Sequence, residues 1–362
     1  LGKTPNQNLA DALLNRYFTY RDIEVQQDNK NLQLQDIEEI SQLEPQYPSY
    51  YYPIGKFYEE QKEIKKANQY YNIMFDKFRD FSNIEQRHTE EENPFGYMNN
   101  KYNGKQRPIS IFKFSPLNEY TLKTLMREEL FLARPHKDWN DPHDCNIRPW
   151  TDLAHNIFKE KARLQCFFAG EEPFTKILMW SHYADKHKGI CVEYEYVLNH
   201  ENTIASLHEV KYQPDMKVRE SWDAFIIKAK DWEYENEVRL FHFDKNNTEE
   251  TSVLKPFDKL GLKVKAVYFG ERLKSDDSII KTVQNIFKYR EEVKEFLDKY
   301  KTLDIWSINA IKTLLFDIEQ KNPNKTTKKD VAFYKMTTQA LSFVLHAEPI
   351  EEEAEPAITT PA

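Results

Sequence analysis

The chain has 362 residues, 40% hydrophobic and 30% charged, with a formal net charge of −8 and a pI near 5.8. That length suffices for two or three domains, and the acidic balance argues against a general electrostatic grip on nucleic acid or on an anionic membrane. No run approaches the roughly 18 to 20 apolar residues that a membrane helix needs, so no membrane association is expected.

With only 8 glycines, the chain contains no G-x-G-x-x-G and no G-x-x-x-x-G-K-[ST] loop, the devices that bring backbone amides up to phosphates. A Rossmann dinucleotide domain and a P-loop nucleotidase are therefore not expected. G-x-S-x-G is missing too, which leaves an α/β-hydrolase without its nucleophile elbow. Leu1–Ala10 has no basic stretch ahead of an apolar core, so no signal peptide is expected. Cys145, Cys166 and Cys191 are an odd set without a C-x-x-C pair. They read as reduced thiols of a cytoplasmic protein.

In chain order, residues 6 to about 82 read as helices. Tyr51, Ile54, Gly55 and Tyr58, then Ala67, Tyr71 and Met74, follow a spacing that resembles the tetratricopeptide pattern. The small Ala67 would let two helices approach, with Tyr51, Tyr58 and Tyr71 filling the groove between them. Residues 17 to 45 resemble a degraded preceding unit, with Ile37, Ile40 and Pro45 in matching places. One good and one poor repeat fall short of the roughly three a free solenoid needs, so this segment, taken as 1–82, is expected to pack on the rest of the chain. A plain helical hairpin is the alternative. Residues 83–108 are polar and turn-rich and read as a linker.

From 109 onward short strands mix with helices, the pattern of an α+β domain, taken as 109–346. Candidate strands are Ile109–Phe114, Gln165–Phe168, Ile190–Val197, Val210–Tyr212, Glu235–Phe243 and Val264–Phe269. Candidate helices are Glu119–Glu129, Pro173–Asp185, and further helices over Ser278–Gln320 and Val331–His346. Lys321–Asp330 reads as a loop. The acidic, proline-containing tail 347–362 is expected to be disordered.

Four motifs in the middle stretch carry chemistry-bearing residues. In Phe112-Lys113-Phe114-Ser115, Lys113 points away from the face shared by the two phenylalanines. In Trp139-Asn140-Asp141-Pro142-His143-Asp144, Asn140 and Asp141 before proline make an Asx turn, which is either structural or places both residues to bind substrate. His136, His143, Asp144 and Cys145 match no zinc spacing, so no metal is expected. In Met179-Trp180-Ser181-His182-Tyr183, a helix would set Met179, His182 and Tyr183 on one side, a combination suited either to an aromatic ligand or to a packed core. In Trp232-Glu233-Tyr234-Glu235-Asn236-Glu237-Val238-Arg239-Leu240, a strand would face Tyr234, Val238 and Leu240 inward and line up Glu235, Glu237 and Arg239 on the other side. Two adjacent carboxylates repel, which raises one pKa while Arg239 holds the other ionised. This is a candidate acid/base or cation-stabilising pair, or else a solvated charged face.

The order of FKFS, WNDPHD, CFF at Cys166–Phe168, MWSHYADKHKGICVEY, VKY at Val210–Tyr212, WEYENEVR and YFG at Tyr268–Gly270 resembles the bacterial domain-of-unknown-function family DUF2971, over roughly residues 109 to 275. Phe168 stands where that family commonly has Ser. The family carries no activity with it. A second resemblance does: ADP-ribosyltransferases also open with a strand bearing a basic NAD-contacting residue and later present a catalytic Glu, sometimes in an E-x-E pair. NAD cleavage passes through an oxocarbenium-like state that a carboxylate would stabilise. On that resemblance NAD is the substrate and Glu237 the catalytic carboxylate, with Glu235 orienting the acceptor. Lys113 or Arg239 would meet a phosphate, and Trp180, His182 or Tyr183 the nicotinamide and ribose, with the four motifs gathered around one pocket. The alternative is a binding module for a nucleotide-like molecule, with the N-terminal helices recognising a protein partner. A nuclease using Asp141, Asp144, Glu235 and Glu237 comes last, for want of metal spacing and basic charge.

Overall fold

The computed structural model describes residues 5–22, 27–43, 50–84, 109–135, 141, 143–145, 159–170, 172–197, 205–215, 223–243, 252–274, 277–300, 307–323, 325, 330–338 and 344–350. Its N-terminal part is built from helix pairs, α1 (Pro5–Asp22) on α2 (Gln27–Gln42) and α3 (Tyr51–Glu60) on α4 (Ile64–Ile84). In α3 the residues Tyr51, Ile54 and Tyr58 are buried, and in α4 Ala67, Tyr71 and Met74. This is the one-sided stripe that 3.6 residues per turn requires. Gly55 sets the distance between these two helices, because a Cβ there would lie 2.4 Å from the Tyr71 ring. Tyr71 cannot yield, since it is fully buried and its hydroxyl donates to Glu59 Oε2 at 2.7 Å. The pairs share a core with Ala162, Leu164, Phe225 and Phe241 of the following domain, and Lys161 Nζ bonds Asn72 Oδ1 at 2.9 Å. The helices thus pack on the sheet.

The architecture is α+β. The sheet runs in the order β12-β11-β10-β4-β1-β3-β2-β9, with β8 also on β3 and β5 on β8. The strands are β1 (Ile109–Ser115), β2 (Glu129–Ala133), β3 (Ala162–Phe168), β4 (Ile190–Tyr196), β5 (Ser206–Glu209), β8 (Glu237–Phe243), β9 (Ser252–Pro256), β10 (Leu262–Phe269), β11 (Ala332–Thr338) and β12 (Leu345–Pro349). The β10–β11 pair is parallel and the other pairs of this sheet are antiparallel. A separate parallel pair joins β6 (Lys211–Gln213) to β7 (Ile227–Ala229).

β3 is the pivot. One edge pairs along its whole length with β8, from Ala162↔Phe243 to Phe168↔Glu237. The other edge is divided: Phe168 meets Phe112 of β1, and Leu164 meets Ala133 of β2. One face of the sheet buries Ile111, Phe167, Val192 and Val238 under α5 (Glu119–Arg127), α7 (Ser278–Lys288), α8 (Arg290–Lys299) and α9 (Ile308–Lys321). Elsewhere Phe112, Phe114, Phe168 and Cys191 pack with Met179 and Trp180 of α6 (Ile177–Tyr183). Side-chain caps start three of these helices: Asn118 for α5, Asp277 for α7 and Ser307 for α9.

Several expectations need correction. The described residues of the expected helix Val331–His346 form instead the strands β11 and β12, with 339–343 outside the described residues. Its buried Phe333 and Met336 lie three apart, a helical spacing, yet β11 pairs with β10 at the sheet's end. Ala347–Pro349 belongs to β12, so the ordered chain reaches past the expected start of the tail. Pro173–Asp185 divides into a 3-10 turn at Pro173–Thr175, an extended Lys176, and α6. The strand expected from Glu235 starts at Glu237. Lys230–Glu235 is a 3-10 helix ended by Asn236 in the left-handed region, φ 46°. Tyr234 therefore does not face inward, and it is 36% exposed. Of the expected linker, 85–108 lies outside the described residues, as does 351–362 of the tail.

Two tests follow from this packing. Gly55→Ala is expected to destabilise the protein by about 1 to 3 kcal/mol, read by chemical denaturation, because the new methyl overpacks a pinned ring. His208 on β5 is 1% exposed, and burial pushes its pKa down from 6.5 to about 4. The unfolded chain then takes up a proton that the folded protein refuses, so stability falls as pH drops through this window. Between pH 7 and pH 5 the protein should lose about 2 kcal/mol more than a His208→Gln variant.

Candidate functional site

Buried charges converge where β8 leaves the 3-10 helix Lys230–Glu235. Arg239 has no exposed surface. Its Nε donates to Glu237 Oε1 at 2.6 Å, its Nη2 to Asp144 Oδ2 at 2.8 Å, and its Nη1 to the Phe225 carbonyl at 2.9 Å and toward Cys145 Sγ at 3.2 Å. Lys228, from β7, bridges the two glutamates: Nζ lies 2.6 Å from Glu235 Oε2 and 3.1 Å from Glu237 Oε2. The Tyr183 hydroxyl donates to Glu235 Oε1. On β6, the Tyr212 hydroxyl accepts the Glu237 backbone N–H at 2.7 Å.

These contacts give the two carboxylates different characters. Burial opposes charge on Glu237, but the guanidinium of Arg239 and the ammonium of Lys228 outweigh it and bring the carboxyl down to about 2. Glu237 is a fixed anion at any ordinary pH. Burial raises Glu235, and repulsion from Glu237 adds to the rise, against the counter-pull of Lys228 and Tyr183. Burial also works against the charge of Lys228, yet Glu237 and Glu235 keep it protonated above the usual lysine range.

The Asn236 turn sets the buried Glu235 against the wall of a cleft. Asn236 Nδ2 donates to the Ala169 carbonyl at 2.8 Å, and the Ala169 N–H donates to the Asn236 carbonyl at 3.0 Å. Gly170, at φ +104°, sits against this clasp, where a Cβ would meet Asn236 Nδ2 at 2.5 Å. A cleft of about 310 Å³ opens here, lined by Ala169, Gly170, Lys176, Met179, Tyr234, Glu235 and Asn236. That volume is at the small end for ligand pockets. Glu235 lines it; Glu237 lies behind, on Arg239. Beside the mouth, the exposed His182 ring lies 6.4 Å from Tyr234, which lies 6.2 Å from Trp232.

The other sequence candidates take varied places. Lys113 is half-buried, its Nζ 3.2 Å from the Cys166 carbonyl across the point where β1 and β3 part, and burial lowers its pKa. Asp141 is 5% exposed and accepts the His143 N–H at 2.9 Å. It forms the anticipated turn, and the turn presents Asp144 to Arg239. Trp180 has no exposed surface, packs edge-on against Phe114 and donates from Nε1 to the Phe174 carbonyl at 2.6 Å. It is core, out of a ligand's reach. Asn140 lies outside the described residues. Lys228 is absent from the sequence candidates, and Tyr212 stands there only as the end of the Val210–Tyr212 motif. The available signal was a lone lysine inside the apolar run Ala224-Phe225-Ile226-Ile227-Lys228-Ala229.

The chain matches no protein-family model, no curated protein and no solved structure. Among the described residues, no group of three or more His, Cys, Asp or Glu side chains is placed to hold a metal ion, and no helix is long and apolar enough to cross a membrane.

Removing the central cation tests the network. Arg239→Met strands Asp144 and Glu237, both buried, and is expected to cost roughly 3 to 5 kcal/mol in urea unfolding. Lys281→Met, at an exposed pair of 3.8 Å with Glu319, should change stability by less than about 1 kcal/mol.

Proposed function

We propose that the protein is an enzyme acting at the cleft fronted by Glu235, and that its reaction is cleavage of NAD with transfer of ADP-ribose to an acceptor or to water. The observation that carries this reading is the division between the two carboxylates: Glu237 is locked by Arg239 and Lys228, whereas Glu235 lines the cleft. A carboxylate at a sheltered opening is what an oxocarbenium-like ribose needs beside it. Lys176 on the cleft wall supplies a cation for a phosphate, and the open volume admits the nicotinamide-ribose end of a dinucleotide with the remainder outside. Against the sequence-based expectation, this reading gives the direct role to Glu235 and makes Glu237 its fixed support. The likeness of the motifs to the DUF2971 family is part of the same proposal. Buried free thiols at Cys145 and Cys191 suit a reducing compartment, and we place the protein in the cytoplasm.

A second reading concerns the N-terminal helices. We infer that they form a tetratricopeptide-like element that recognises a protein partner. It is favoured by Leu9 and Leu32, 43% and 39% exposed on α1 and α2, and it is compatible with either catalysis or simple binding at the cleft.

Purified protein incubated with NAD should release nicotinamide, and Glu235→Gln should reduce that rate by about two to four orders of magnitude while the fold is kept. Equal rates in the two proteins would remove Glu235 from the chemistry. An absence of both NAD turnover and NAD binding would refute the proposed reaction.

A further inference from the structure

The β6–β7 pair stands apart from the main sheet, yet it supplies two of the groups that hold the glutamates. Tyr212 of β6 takes the Glu237 backbone N–H, and Lys228 of β7 sits between the carboxylates. The side chain of Lys228 is 4% exposed, and those of Glu235 and Glu237 are 1% and 2% exposed. Its remaining face lies 4.7 Å from the centroid of the Trp232 ring, which adds a cation–π contact and shields it from water. Such a lysine is held in one place from several sides.

We propose that Lys228 is the positioning residue of this site: its ammonium, shared between Glu235 and Glu237, keeps Glu235 ionised and its carboxylate fixed at the wall of the cleft. The role is distinct from that of Arg239, whose bonds reach Glu237 and Asp144. Glu235 faces Lys228 from β7, Tyr183 from α6, Glu237 from β8, Tyr212 from β6 and its chain neighbour Tyr234. Lys228 is the cation of that set. Without it the cation left beside Glu237 is Arg239, which is shared with Asp144 and makes no bond to Glu235, and a buried carboxyl that has lost its own cation beside a carboxylate takes up a proton more readily. A protonated Glu235 could not stabilise positive charge on a ribose. The catalytic meaning of Lys228 therefore rests on the reaction proposed above, while its hold on Glu235 does not.

The test follows the Glu235 carboxyl directly. Full-length protein labelled with 13C at the glutamate carboxyl carbons is titrated by NMR, with Glu235→Gln assigning the resonance. In Lys228→Met the Glu235 midpoint should rise by about one to three pH units, and Lys228→Arg should return it most of the way. In NAD turnover the acid limb of the pH profile should move up by the same amount. Lys228→Gln, which keeps a hydrogen-bonding side chain without charge, should shift like Lys228→Met and serves if the methionine variant does not fold. An unchanged midpoint in either neutral variant overturns the proposal. If the midpoint shifts but wild-type protein leaves NAD intact, the positioning role stands and the proposed reaction falls.

Discussion

A guanidinium without solvent must find its compensation inside the fold, and Arg239 sets that requirement here. Removing a charge from water costs several kcal/mol even after relaxation, and its donors are answered by acceptors from three stretches of chain. β8 itself provides Glu237, the turn at Asp141–Cys145 provides Asp144 and the Cys145 sulfur, and the short helix at Asp223–Phe225 provides a carbonyl. Those three answers fix how the turn and the β6–β7 region dock on the sheet. Glu237, once bound to Arg239, is a permanent anion, and Lys228 then settles between it and Glu235.

This hierarchy separates support from the cleft wall. The inner members, Arg239, Asp144 and Glu237, satisfy one another away from the cleft lining. Glu235 stands one residue before a left-handed Asn236 that turns the chain out of helical geometry, and it lines the cleft while keeping its bonds to Lys228 and Tyr183. The clasp between Asn236 and Ala169, closed against Gly170, holds the wall in which it sits. The position of Glu235 at the cleft thus derives from charges packed behind it.

Much of this was readable in the residues, and the failures have physical causes. The α+β class followed from short β-rich runs among helices, and the E-N-E-V-R run marked where charge would collect. The Asx turn at Asp141 was legible because its chemistry is local. Trp180 misled, since an indole beside Ser, His and Tyr looks the same whether it meets a ligand or Phe114. Lys228 was marked only by its place in an apolar run, because its pairing with Glu235 and Glu237, 7 and 9 residues away, follows no helix or strand period. Phe333 and Met336 imitate a helix face at spacing three, and only the pairing of β11 with β10 exposes them as strand residues.

The bond between Arg239 and Asp144 spans 95 residues of sequence, and that separation has a consequence during synthesis. At about 5 to 20 residues per second, Asp144 and Cys145 leave the ribosome some seconds before their partner exists. Through that interval the turn carries an acidic side chain and a thiol with no guanidinium to close on. A nascent chain is then open to thiol modification and to chaperone capture at two side chains that the finished protein buries.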